Sequence, residues 1–378
     1  MKIVVWHNIM WSRYKAAVFS ALQTFCAERK IQLQVYQIAE TANQRTSLPP
    51  TDTSWHKYSY ELLFNGAYEA IPRLSLLWQI AKKAWSDDAD TTILAGYDRP
   101  EYWIQAMILL LRGKTFACFC DSTVYDNKQK FIVGLLKRAF FRWCSGIFCY
   151  GQRAAEYVAL YGATADKIIR GCQAAALYEG YTPELALERR IQMYDPSAPL
   201  RFLYVGRLSR EKSIDHLILA FARVLRASPD AQLILVGAGP EEKHLRLLCS
   251  QLGADSLVQF AGPKHGDALF LEYLKATALI LPSRSEPWGL VINESLSHGC
   301  PVVVSDRCGC VPELVIDSKT GYVFAWGDID DLTRKMQAVA HLKEFRTTAE
   351  FCINQIGPFT PQSAAQNILD GSIRLARR

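Results

Sequence analysis

Short apolar runs of strand length alternate with longer stretches of helical period along most of the chain, an order that commits it to parallel strands with helices on their faces. In the first half the runs at 2–6 (KIVVW), 31–36 (IQLQVY), 91–95 (TTILA), 115–120 (TFACFC) and 146–150 (GIFCY) read as strands. Stretches 13–29, 72–85, 100–111, 128–143 and 151–161 read as helices; in the first of them Val18, Leu22 and Phe25 share one face. Residues 41–57 have no apolar period and carry a Pro-Pro pair, so they read as a loop. The pattern weakens over 172–200 and restarts with strands at 200–205, 231–236, 257–261, 278–281, 301–304 and 321–324. At roughly 100–200 residues per domain, a chain of 378 residues with such a break reads as two α/β domains. No self-similarity recurs along it, which excludes a solenoid or propeller.

Half the residues are apolar and 21% are charged, enough for a core in each domain and too apolar for a disordered chain. Lys and Arg outnumber Asp and Glu by 43 to 37, and the excess lies almost wholly in residues 1–185. It falls short of the dense basic stripes of a nucleic-acid binder and points to an anionic ligand or membrane surface. The eleven cysteines are never spaced as C-x-x-C, and the pairs Cys118/Cys120 and Cys308/Cys310 lack a His at ligand spacing. They read as free, buried thiols rather than a metal site. No signal-peptide core opens the sequence and no run of about 18 uncharged apolar residues follows, so a cytoplasmic protein is expected.

Open parallel sheets bind ligands beyond the carboxyl ends of their strands. After the strand at 200–205 comes Gly206-Arg207-Leu208-Ser209-Arg210-Glu211-Lys212, with cations where a strand gives way to helix N–H donors. Taken alone, these are as readily solvated loop charges. After 278–281 comes Pro282-Ser283-Arg284-Ser285-Glu286-Pro287-Trp288-Gly289-Leu290, then a helix holding Glu294. Both carboxylates can face one ligand over that helix N-terminus, where Gly289 lets the backbone approach. A ligand with hydroxyls at both ends and phosphate in the middle, such as a nucleotide sugar, satisfies the set.

Together with G-C-P-V-V-V-S-D at 299–306 and P-E-L-V at 312–315, these segments resemble the retaining GT-B glycosyltransferases of glycosyltransferase family 4, or group 1. The resemblance is strong over 200–325 and weaker in the first half, where C-Y-G-Q-R-A-A-E-Y-V at 149–158 carries it. It implies two Rossmann-like domains facing across a cleft: residues 1–185 on the acceptor side, 186–355 for the nucleotide sugar, and 356–378 as a helix crossing back. It implies that Arg207 and Lys212 hold the donor diphosphate and stabilise the charge that grows as the glycosidic bond breaks. Glu294 would accept from ribose hydroxyls and Glu286 from the donor sugar, with the N–H groups of Gly289 and Leu290 meeting phosphate or sugar oxygens. His265, in the loop after 257–261, lies where the family receives the nucleobase, although loop filler accounts for its side chain equally well. Trp288 stands where the family usually has Phe.

Two departures stand out. The turn after the first strand, His7-Asn8-Ile9-Met10-Trp11-Ser12-Arg13, lacks the family's glycines. Where many members carry a His near the reacting sugar, this chain has Asp121-Ser122-Thr123. Asp121 is therefore the candidate for contact with donor sugar or acceptor hydroxyl, with a helix N-cap at Asp121 or Ser122 as the rival reading.

Other patterns have plainer readings. Gly237-Ala238-Gly239-Pro240 is not the dinucleotide G-x-G-x-x-G. Asp328-Ile329-Asp330-Asp331 reads as a helix start rather than a metal-binding D-x-D, and Glu313 as a helix cap or a support for the ribose loop. Segment 128–143 carries five cations and no acid among apolar residues, which suits either a membrane interface or an ordinary helix packed on the sheet.

The resemblance implies transfer of a hexosyl unit, with retention, from a nucleoside diphosphate sugar, by family frequency a UDP-sugar, to a glycan or lipid-linked acceptor. No cofactor, metal or nucleic acid is expected, and the setting is polysaccharide or glycolipid assembly, with the protein cytoplasmic or peripheral at the inner membrane face. A noncatalytic nucleotide-sugar-binding subunit is the alternative.

Overall fold

Runs of Val, Ile, Leu and Phe that are buried on both faces form the central strands, as parallel sheets flanked by helices require. The computed structural model describes residues 1–43, 50–126, 131–178, 180–342 and 344–377. These divide into two units, Met1–Ala176 with Phe359–Arg378, and Leu177–Pro358.

Unit 1 runs β1 (Lys2–Ile9), α1 (Arg13–Glu28), β2 (Gln32–Thr41), β3 (Tyr60–Ala67), α2 (Arg73–Trp85), β4 (Thr91–Leu94), α3 (Pro100–Leu111), β5 (Phe116–Cys120), α4 (Phe131–Trp143), β6 (Gly146–Cys149), α5 (Gln152–Leu160) and β7 (Ile168–Ile169). Its parallel sheet has the order β3-β2-β1-β4-β5-β6-β7, with Val5 of β1 registered against Val35 of β2 and Ile93 of β4. The order reverses between β1 and β4. One face of the sheet is covered by α2 to α5. The other is covered by α1 and by the last helix of the chain, α14 (Pro361–Ala376), which packs along α1 and onto β4, β6 and β7. The fit there is close: a Cβ on Gly146 would stand 2.6 Å from Leu375, and one on Gly371 2.7 Å from Phe148.

Unit 2 runs α6 (Pro183–Met193), β8 (Arg201–Val205), α7 (Ile214–Val224), β9 (Gln232–Val236), α8 (Glu242–Gln251), β10 (Val258–Gly262), α9 (Asp267–Lys275), β11 (Ala278–Leu281), α10 (Leu290–Ser297), β12 (Val302–Ser305), α11 (Val311–Leu314), β13 (Gly321–Phe324), α12 (Ile329–Ala340) and α13 (Phe345–Ile356). The sheet order is β10-β9-β8-β11-β12-β13, again parallel, with the reversal between β8 and β11.

Three expectations shift. The strands β3 and β7 lie outside the sequence reading: β3 is a half-exposed edge strand without clean alternation, and β7 has two residues. The first unit ends at Ala176 rather than 185, because α6 packs on α9 and α13. Arg190 of α6, buried, donates to the carbonyls of Tyr273 (3.0 Å), Leu274 (2.6 Å) and Ala276 (2.8 Å), which close the carboxyl end of α9. Finally, part of the 41–57 loop belongs to β2 and to a short 3-10 turn at Thr53–Trp55; positions 44–49, and 128–130 of the basic segment, lie outside the described residues.

All eleven cysteines are buried, and no disulfide joins any of them among the described residues. Asp328 caps α12, its carboxylate accepting from the Asp331 N–H at 2.8 Å, as the plainer reading of that motif requires. Glu313 is half-buried in the short helix α11. Among the described residues no helix is long and apolar enough to cross a membrane.

Candidate functional site

The loop leaving β8 is fixed by backbone packing. Gly206 N donates to Val236 O and Leu208 N to Ala238 O, each at 3.0 Å. A Cβ on Gly237 would stand 1.9 Å from the Gly206 carbonyl, and one on Gly239 2.2 Å from that of Leu208. The G-x-G therefore serves close contact between two loops. This holds Arg207, whose guanidinium pairs with Glu211 and donates through Nε to Ser209 Oγ at 3.2 Å. Burial works against the Glu211 carboxylate, but hydrogen bonds from Ser209, the backbone and Arg207 outweigh it and bring its pKa down to about 2. Ser213, in the left-handed region at φ 49°, turns the chain from Lys212 into α7.

The loop leaving β11 meets it at the point where the strand order reverses. Lys212 Nζ pairs with Glu286, both side chains mostly buried. Burial alone would lower the lysine pKa; the charge and hydrogen bond of Glu286 raise it above the ordinary value. Glu286 is held by its backbone, since Gly309 N donates to Glu286 O at 2.8 Å and Cys310 N to Trp288 O at 3.1 Å. Trp288 is buried and donates from Nε1 to Asn293 Oδ1 at 2.8 Å. Gly289 has φ 97° and opens α10, whose first-turn N–H groups, Leu290 included, project out of the helix end. A side chain there would be strained and would crowd Leu281 at 3.1 Å.

Glu294 lies in α10 and accepts from the Tyr273 hydroxyl at 2.7 Å. Beneath it, His298 stacks between Phe270 (4.9 Å) and Tyr273 (5.6 Å), and its Nδ1 lies 2.7 Å from Glu294 O. Burial lowers the His298 pKa to about 4. His265 is exposed in the loop after β10. Arg207, Lys212, Glu286, Gly289, Leu290 and Glu294 thus stand on the loops at the carboxyl ends of β8 and β11 and on α10.

Asp121 belongs to unit 1. It follows β5 and caps no helix, because 121–123 has no regular structure and a turn occupies 124–126. It lines a recess of about 240 Å³ with Asn8, Lys15, Tyr97, Phe119 and Tyr150. Its side chain is exposed at the recess surface, and the surrounding protein, then the Asp98 charge, pushes its pKa up to about 6 against the pull of Lys15. Sequence reasoning missed Tyr273, Ser209, Glu211 and Lys15. Ser209 and Glu211 lay inside a quoted motif; Tyr273 and Lys15 read as ordinary helix residues.

Residues 192–350 match the family model of glycosyl transferases group 1. The sulfoquinovosyl transferase SQD2 of Arabidopsis thaliana is 32% identical over 191 residues, 49% of this chain and 36% of that protein. A D-inositol 3-phosphate glycosyltransferase of Acidothermus cellulolyticus is 33% identical over 207 residues, 52% of this chain and 45% of that one. The chain therefore spans about a third to a half of these relatives' length. Among solved structures, the lipopolysaccharide outer core galactosyltransferase WaaB superposes with a TM-score of 0.73 at 17% identity, covering 99% of both chains. HepE of Anabaena, solved with UDP-glucose, gives 0.69 at 18% identity over 98% of both. At such identities the likeness concerns the fold, which is GT-B. Residues 192–350 are therefore a segment of the glycosyl transferases group 1 type.

Proposed function

We propose that the protein transfers a hexosyl unit from a nucleoside diphosphate sugar to an acceptor hydroxyl, with retention of anomeric configuration, in polysaccharide or glycolipid assembly. The observation that carries this is the Lys212–Glu286 pair at the strand-order reversal of unit 2, beside Arg207 and the N-terminus of α10. On binding, Lys212 and Arg207 donate to the diphosphate and Glu286 turns to the sugar hydroxyls. The bond from the anomeric carbon to the phosphate oxygen breaks, the acceptor oxygen bonds that carbon, and the acceptor proton passes to the leaving phosphate. The two cations and the helix end offset the charge growing on that phosphate, so the reading calls for no metal ion. Glu294, oriented by Tyr273, accepts from the ribose hydroxyls, and the His265 loop receives the base. UDP is favoured over GDP because the structural neighbour HepE is described with UDP and UDP-glucose.

The acceptor side of the reading is a membrane. Unit 1 exposes Leu74, Trp78 and Trp85 along α2, Met107 and Leu111 on α3, and Ile132 and Leu135 on α4. Lys82 lies over the Trp78 ring, and Arg138 and Arg142 are exposed on α4. Aromatic side chains flanked by cations suit the interface of an anionic bilayer, which supports the reading of an enzyme that works at the inner membrane face.

The test is a thermal-shift panel of UDP-, GDP- and ADP-sugars in the presence of EDTA, followed by assay of nucleotide release. A UDP-sugar at ~100 times its dissociation constant should stabilise by about 2.7 kcal/mol. No shift with any donor would overturn the reading, and binding without release of nucleotide would favour a noncatalytic subunit.

A further inference from the structure

We infer that the recess of unit 1 is a binding site for one uncharged, hydroxyl-rich sugar ring of the acceptor, gripped by Lys15 and Asp121; this rests on the glycosyl-transfer reading above.

Lys15 is the anchor. It lies in the first turn of α1, only 2% exposed, and its Nζ has no hydrogen-bond partner among the described residues. The ammonium sits 4.7 Å from the centre of the Phe119 ring and 4.4 Å from that of Tyr150. Ring faces offset part of the cost of taking a charge out of water, but they satisfy none of its N–H donors. Burial brings the Lys15 pKa down to about 8, with Cys172 and Asp121 opposing, so the amine still carries its proton at neutral pH. Asp121 lines the same recess, yet no ion pair joins it to Lys15 among the described residues. Opposite charges held in one recess without touching are matched by a hydroxyl between them. Its oxygen accepts from the lysine and its proton goes to the carboxylate.

The rest of the recess fits a sugar and disfavours an anion. Lys15 and Arg99 face three carboxylates, Glu69, Asp98 and Asp121, so a phosphate or carboxylate would meet net negative charge. Phe119, Tyr97 and Tyr150 supply apolar surface for the C–H face of a ring. A volume of about 240 Å³ is below the ~300 Å³ at which pockets for drug-sized ligands begin, which suits a single ring. The walls are also set in advance. His7 Nδ1 lies 3.1 Å from Gln37 Oε1, and Asn8 Oδ1 accepts from the Tyr102 hydroxyl. The glycine-free turn after β1 thus has a use: its side chains build a fixed wall where glycines would leave a mobile backbone, and less order must be imposed on binding.

Saturation-transfer NMR on the full chain without nucleotide tests this, using methyl glycosides of glucose, galactose and N-acetylglucosamine beside glucuronate and glucose 6-phosphate. At least one neutral glycoside should bind in preference to both charged sugars. Lys15→Met and the isosteric Asp121→Asn should each weaken it by about tenfold or more, and Lys15→Arg should restore part of the loss. Thermal melts of each variant separate lost binding from lost folding, and Asp121→Asn keeps the test open should Lys15→Met not fold. Preference for the charged sugars, no neutral binding, or variants within about twofold of wild type would overturn the inference. If a neutral glycoside binds as stated while no nucleoside diphosphate sugar does, it is the glycosyl-transfer reading that fails.

Discussion

Units 1 and 2 each hold a parallel sheet with one reversal of strand order, and they treat the charges at its carboxyl edge in opposite ways. In unit 2 the charges of the candidate site are tied to partners: Lys212 to Glu286, Arg207 to Glu211, and Glu294 to the Tyr273 hydroxyl. In unit 1 Lys15 and Asp121 share a recess without an ion pair. A ligand that brings its own charge can displace internal partners, so storing the cations against carboxylates costs little in the empty protein. A neutral ligand cannot repay the breaking of an ion pair, so the groups that receive it must be left unjoined. The outer faces differ in kind as well: α2 of unit 1 exposes Trp78 and Trp85, whereas the exposed apolar side chains of unit 2, Leu247, Leu271 and Phe351 among them, include no tryptophan among the described residues.

The contrast can be broken at several points. Lys212→Ala should produce the largest effect, a fall in turnover on the order of 10²–10³-fold with donor affinity less affected, read by steady-state kinetics. If turnover stays within a few-fold of wild type, the stored cation of unit 2 is not the one that meets the leaving diphosphate. Acid should expose unit 2 next. His298 has a folded pKa of about 4 against an ordinary 6.5, so its contribution to stability is complete above pH 6.5 and is lost as pH falls towards 4, when the unfolded chain binds a proton that the fold refuses. The slope in that window should reach about 1.4 kcal/mol per pH unit from this group, and His298→Gln should flatten it in urea melts taken across the range. The smallest effect concerns the outer face of unit 1. Replacing Trp78 and Leu135 with Ser should weaken binding to anionic vesicles several-fold and leave melting nearly unchanged, because both side chains are exposed. Flotation that is equal for the two proteins, or absent for both, would remove the membrane from the reading.

What the sequence disclosed follows the same division. The motifs at 206–212 and 285–295 are local in the chain, and both appear at the strand ends where alternation puts them. The Lys212–Glu286 contact joins residues 74 positions apart, so no spacing rule could have revealed that one would be the partner of the other. Lys15 was invisible for a related reason. Ser12-Arg13-Tyr14-Lys15 reads as an ordinary solvated helix start, and only the packing of α1 beside Phe119 and Tyr150 buries the ammonium. The strand β3 escaped because a half-exposed edge needs neither continuous apolarity nor strict alternation. Unit 1 also ends earlier than the composition shift suggests, since Arg190 commits α6 to unit 2 through carbonyls more than eighty residues away.

The placement of α14 sets an order on synthesis. When the ribosome has made residues 1–176, the sheet face that includes Ile93, Phe148 and Ile169 still lacks the helix that covers it, and that helix is translated after all of unit 2. Unit 2, whose residues are contiguous, can close its core as soon as Pro358 has emerged. The unit begun first is therefore finished last, and until then its uncovered apolar face is open to aggregation.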